Sequence, residues 1–332
     1  MVSGFGFLVG RMMPLGSEMR SPAPTAVRRD FVRPPRLKKG DTIGIAAVSR
    51  PVLAPKLAEG MALLEQCGYR VVLASNIHSR SRNGLFAGSD DERADGYRAL
   101  LLDPKVDAIF FATGGYGAGR IFARLTAREL AERPRIHLGG SDLTALFAYA
   151  ATHAHLTTFY GPMAAMAMAC EPELDWERVL AGAAPEPHTV ADADVLAPGI
   201  GEGPLLGGCL SLVAALAGTP EQVDGRGAVL FWEDVGEKAY RLDRMLTQLE
   251  RSGTLEGLQA MIIGSITPGS VGGEPPEFVA DWLRDRFGGS PFPVVCGYPA
   301  GHLRGSRTLP LGQPVRVDTE RRTVEFLQPA VV

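Results

Sequence analysis

The chain has 332 residues, enough at roughly 150 per domain for about two domains with a substantial core. Hydrophobic residues make up 45% and charged residues 21%, and 40 Gly and 25 Pro are spread without a repeat, which excludes disorder and collagen and signals many turns. Lys and Arg total 34 against 37 Asp and Glu, a formal charge of −3, so no global field draws nucleic acid or an anionic membrane.

The first 38 residues, rich in Pro, Arg and Met, lack periodicity and are expected to form a loose arm; Phe5 to Val9 is too short for a membrane span. From Asp41 short aliphatic runs alternate with helical stretches: Asp41 to Val48 then Pro55 to Cys67, and Arg70 to Ala74 then Asp90 to Leu102. Ala108 to Thr113 precedes Gly117 to Leu125, and Ile136 to Gly140 precedes Asp142 to His153. Such β-α units predict a parallel sheet covered by helices, with ligands beyond the carboxyl ends of its strands. The loops 47–52, 113–119 and 139–142 are therefore the places to search for chemistry.

Between Met166 and Gly203 the composition shifts to Ala, Pro, Glu and Asp, which predicts a linker. Beyond it, Gly207 to Ala217 reads as a small-residue helix, Ala228 to Trp232 as a strand and Tyr240 to Arg251 as an amphipathic helix. Met261 to Ile266 reads as a strand, Phe278 to Phe287 as a helix, and Val294 with Val295 as a further strand. Pro314 to Asp318 and Thr323 to Leu327 alternate like a hairpin. The cysteines, Cys67, Cys170, Cys209 and Cys296, are far apart and have no metal-site spacing, which fits a reducing, cytoplasmic compartment.

Ser141 stands where a strand, two glycines and a helix meet. A serine on such a turn exposes its hydroxyl beside the first helical N–H groups, although Ser141 or Asp142 could equally cap the helix. A serine nucleophile needs a base, and of the six histidines His302 differs by following a strand on a loop from which it can reach another site. Glu233 and Asp234 follow an apolar strand and could orient an imidazole; Asp234 or Glu237 could instead cap the next helix. The glycine-rich loop 113–119 lacks the third glycine of a dinucleotide fingerprint, because Arg120 stands there. Its Gly115 N–H, with that of Asp142, fits an oxyanion hole; the bland alternative is a tight turn opening a helix.

Gly114-Gly115-Tyr116-Gly117, Gly140-Ser141-Asp142, Tyr160-Gly161-Pro162, Leu206 to Leu210, Trp232 to Glu237 with Tyr240 to Arg244, and Gly301-His302 occur in an order that resembles the LD-carboxypeptidases. This serine peptidase family also includes the microcin C immunity peptidases. The resemblance runs from about Lys38 to the C-terminus. It implies an α/β protein in which a parallel-sheet nucleophile domain, similar to class I glutamine amidotransferases, joins a smaller C-terminal mixed α/β domain, usually as a homodimer. The expected divisions are an arm over 1–38, the nucleophile domain over 39–165, a linker over 166–203 and the C-terminal domain over 204–332. A glutamine amidotransferase itself would need a cysteine at position 141.

Carried over residue by residue, the resemblance makes Ser141 the nucleophile, Glu233 the acid, His302 the base, and the N–H groups of Gly115 and Asp142 the oxyanion donors. It implies removal of the terminal D-alanine from a cytosolic murein tetrapeptide, without metal or cofactor. The partner would be a small peptide rather than nucleic acid or membrane. A peptidyl- or aminoacyl-nucleotide is the alternative substrate. Two departures bear on recognition: Thr113 stands where the family often has Arg, and Cys209 where it often has Asn. Thr113, Tyr116, Arg304 and Arg307 are the candidates for substrate contact, with Arg120 a further source of the displaced charge; Cys209 is expected to be buried and inert.

Overall fold

The computed structural model describes residues 30–165, 175–268 and 276–332. Its first sheet is built on β1 (Thr42–Ala46), fully buried and flanked by β2 (Arg70–Leu73) and β3 (Ala108–Phe111), followed outward by β4 (Ile136–Gly139) and β5 (Thr158–Tyr160). These five run parallel, as continuous apolar runs linked by helices require. Helices α1 (Ala54–Gln66), α2 (Asp90–Leu102), α3 (Ala127–Glu132) and α4 (Leu143–Ala154) make the crossovers. A capping box starts α2: Ser89 accepts the Glu92 N–H and the Glu92 carboxylate accepts the Ser89 N–H. Expected as helical from Gly117, the segment Ala118–Arg124 forms a 3₁₀ helix.

The stretch 166–203, expected as a linker, carries regular elements from residue 175 onward. Residues 166–174 lie outside the described residues, but α5 (Asp175–Leu180) buries Trp176, Val179 and Leu180 in the first core, where Trp176 meets the Phe110 ring edge-on at 5.4 Å. The strands β6 (His188–Thr189) and β7 (Val195–Ala197) then form the two edges of a second sheet. Of the expected arm, residues 1–29 lie outside the described residues, whereas the part after Asp30 is anchored: the Val32 N–H donates to the His155 carbonyl at 2.7 Å and Leu37 is buried.

The second sheet has a parallel centre, β8 (Ile200–Cys209), β9 (Val229–Glu237), β10 (Ala260–Pro268) and β11 (Val294–Val295). Antiparallel strands complete it: β7 beside β11, and β13 (Pro314–Asp318), β14 (Thr323–Phe326) and β6 beyond β8. Helices α6 (Leu210–Ala215), α7 (Ala239–Arg251) and α8 (Pro276–Phe287) accompany it, and α7 buries Leu242, Leu246 and Leu249, as its apolar spacing predicts. The small-residue helix expected from Gly207 is shorter. Gly207, Gly208 and Cys209 still belong to β8, because Gly207 has φ 120° and passes so close to the Phe231 carbonyl that no Cβ would fit.

The halves are interleaved through β12 (Leu309–Leu311), which leaves the C-terminal part to pair antiparallel with β5 at the edge of the first sheet. Helix α4 is buried along most of its length because it lies between the two sheets, with β8 and α6 against it. The site forms where the carboxyl ends of β4 and β5 meet β9 and the loop after β11.

Candidate active site

After β4, the chain turns at Ser141 with φ 57°, a left-handed conformation that costs a non-glycine residue about 1–3 kcal/mol. Such a strained turn between strand and helix puts a hydroxyl at the sheet edge. Asp142 begins α4, but its side chain makes no capping bond there. Instead the buried carboxylate accepts the Ser49 hydroxyl at 2.6 Å and the Ala118 N–H at 2.8 Å, tying the loops after β1, β3 and β4 together. Arg93 of α2 reinforces this junction from beneath, donating to the Val48 and Gly117 carbonyls and pairing with Asp90. A Cβ on Gly114 would stand 2.9 Å from that of Ser141, so the glycine turn lies directly against the candidate nucleophile.

Glu233, fully buried in β9, receives two bonds from one residue. His302 donates its backbone N–H to Oε2 at 3.1 Å, and its ring Nδ1 lies 2.8 Å from the same oxygen. Nδ1 thus carries the proton toward the carboxylate, and Nε2 is left with its lone pair. Burial pulls the His302 pKa down, but the hydrogen bond and charge of Glu233, with Asp234 behind it, more than offset this and hold it above the ordinary imidazole value. Gly301, at φ 120°, makes the approach possible: a Cβ there would lie 2.6 Å from Glu233 Oε2 and against the Ser265 hydroxyl.

Ser141 and His302 face a common cavity of about 480 Å³, lined also by Gly140, Tyr160, Met163 and Arg304. Asp234, the other acid considered, does not reach the imidazole by a hydrogen bond. It accepts the Ser211 N–H at 2.8 Å at the start of α6 and the Val235 N–H at 2.8 Å, and burial raises its pKa. Glu237 does not cap α7 either, since Lys238 stands at that position. Cys209 is the last residue of β8 rather than part of a helix; burial, with Asp234 and Glu233 nearby, pushes its thiol well above the ordinary value.

The cationic candidates separate. Arg304 lines the cavity. Arg307 donates to the Glu186 carbonyl at 2.8 Å, and Arg120 pairs with Asp90 at 2.8 Å, so neither charge is directed at Ser141. Thr113 is buried, whereas the Tyr116 ring is 60% exposed beside Phe86. Sequence reasoning passed over Arg50, an exposed residue whose Nε donates to Thr113 Oγ1 at 3.3 Å and whose stem lies over Gly115. Tyr160, named there only as part of a family motif and given no role, has a hydroxyl that joins Ser141 to Glu233: it accepts the Ser141 N–H at 3.0 Å and donates to Oε1 at 2.6 Å.

Residues 43–161 match the N-terminal domain of LD-carboxypeptidases and residues 202–317 match their C-terminal domain. The chain belongs to the LD-carboxypeptidase family. It is accordingly a serine-type carboxypeptidase, a hydrolase of peptide bonds. A carboxypeptidase-named protein of Streptomyces coelicolor is 38% identical over 91% of this chain and 98% of its own length. The murein tetrapeptide carboxypeptidase of Pseudomonas aeruginosa is 30% identical over 84% of this chain and 94% of its own. The fold is also that of the Escherichia coli microcin C7 self-immunity protein MccF, solved with glutamyl sulfamoyl guanosine, at 21% identity, covering 90% of this chain and 99% of that one with a TM-score of 0.77. Among the described residues no helix is long and apolar enough to cross a membrane.

Proposed function

We propose that this LD-carboxypeptidase releases the terminal D-alanine of murein tetrapeptides through Ser141, His302 and Glu233. The observation that carries the reading is the His302 ring held by Nδ1 on buried Glu233, facing the cavity onto which the strained Ser141 turn opens. His302 Nε2 takes the Ser141 proton as Oγ attacks the scissile carbonyl, and later gives it to the departing D-alanine amine. Water then hydrolyses the acyl-enzyme by the same route.

The oxyanion is assigned to the Gly115 and Asp142 N–H groups; the Ser141 N–H is engaged by Tyr160 and is not available to it. The free carboxylate of the leaving residue calls for a cation near Ser141; the candidates are Arg50, which lies over the Gly114-Gly115 turn next to it, and Arg304, which faces the cavity from the other half. The names of the relatives favour murein peptides; a cytoplasmic homodimer engaged in recycling is what the family resemblance implies.

The test is mass spectrometry after incubation with a tetrapeptide ending in D-alanine, beside the Ser141→Ala variant. Release by the wild type alone supports the reading. A peptidyl- or aminoacyl-nucleotide is the second reading, favoured by the exposed Tyr116 ring, on which a base could stack, and the same assay with such a conjugate decides between them.

A further inference from the structure

Resting on that triad, we infer that Tyr160 is a positioning residue that locks the nucleophile turn and the catalytic acid into one register. The two partners come from different halves of the chain. Ser141 follows β4 in the first sheet and Glu233 lies in β9 of the second, with Tyr160 at the end of β5 between them. One phenolic oxygen serves both, accepting from the Ser141 N–H at 3.0 Å and donating to Glu233 Oε1 at 2.6 Å, while Glu233 Oε2 takes the His302 N–H.

The hydroxyl is held in this arrangement by its surroundings. Tyr160 is 2% exposed, and its ring packs edge-on against Phe231 at 5.6 Å, so it has no freedom to swing toward solvent. Burial and the adjacent Glu233 charge drive the phenol far above its ordinary pKa, which keeps it a neutral O–H donor rather than a proton carrier. Two consequences follow for the chemistry. Ser141 is held in its left-handed turn by a bond that the helix itself cannot supply. The donated proton draws charge from Glu233, so the carboxylate orients His302 without raising its pKa as far as a bare carboxylate would. The charged and titratable groups around that imidazole are Glu233 and Asp234 of β9, Tyr160 of β5 and, on its own loop, Arg304.

The test compares wild type with Tyr160→Phe, which keeps the ring and its packing, in the rate at which a fluorophosphonate labels Ser141 across pH. That reaction forms a bond from Oγ to phosphorus, expels fluoride and passes the serine proton to His302, so it reads the site without any peptide. The expected result is labelling slower by about tenfold to a hundredfold, with the midpoint of the acid limb moved to higher pH. An unchanged rate and midpoint would overturn the assignment. Pairing with Glu233→Gln gives a second reading: once Glu233 is neutral, adding Tyr160→Phe should cost less than it does alone, the remainder being the lost Ser141 N–H bond, and fully additive losses would refute action through the acid. Rapid wild-type labelling that Tyr160→Phe slows, without D-alanine release, would remove the murein assignment while leaving Tyr160 supported, and a folded wild type that fails to label at all would overturn both.

Discussion

His302 meets Glu233 with both its backbone N–H and its ring Nδ1, so the carboxylate fixes the loop and the imidazole together. Replacing Glu233 by Gln retains the shape but removes the charge and lets the wrong tautomer form. We expect turnover to fall by about a thousandfold to ten-thousandfold and the acid limb of kcat/KM to move to lower pH, measured by D-alanine release.

The raised His302 pKa has opposite effects on activity and stability. General-base action needs the neutral ring, so activity should rise only as the pH passes a value above the ordinary imidazole figure of about 6.5. Stability runs the other way. A group whose pKa is higher in the folded state contributes its full stabilisation below the unfolded pKa and loses it as pH rises through the folded value. The Tm difference between wild type and His302→Gln should therefore be largest on the acid side and shrink as activity appears.

Gly301→Ala should damage the site more than its size suggests. The new methyl would fall 2.6 Å from Glu233 Oε2 at a φ of 120°, where an L side chain is strained. A stability loss of about 1–3 kcal/mol is expected, accompanied by loss of labelling at Ser141, and calorimetry with a serine probe reads both.

Arg50→Ala tests recognition rather than chemistry. If its guanidinium meets the terminal carboxylate, kcat/KM should drop by about tenfold to a hundredfold for the free acid and scarcely at all for the corresponding peptide amide. Equal losses on both would place its role in supporting the Thr113 turn.

What could be read in advance was whatever local pattern determines. The alternation of apolar runs and helices marked the parallel sheet, and glycines, Ser141 and an isolated histidine after a strand pointed to the candidate site, where Ser141 and His302 line one cavity. What could not be read depends on partners distant in sequence. Leu309–Leu311 is a three-residue run broken by Pro310, and it becomes a strand only because β5 offers an edge. Tyr160 opens a recognisable motif but has no visible task until β9 is brought against it, and Arg50 is one arginine in a polar loop until the Thr113 turn arrives beneath it. Gly207 and Gly208 looked helical among small neighbours, but the proximity of β9 decided their conformation.

The antiparallel seat of β12 on β5 also bears on how the protein can be divided. A fragment ended at residue 161, where the match to the N-terminal domain stops, would carry the nucleophile but leave β5 as a bare edge with unpaired amides and carbonyls. Such a piece invites intermolecular strand pairing and precipitation. The C-terminal fragment would meanwhile carry a short strand with nowhere to dock, so neither segment is a sound expression unit although each matches a named domain.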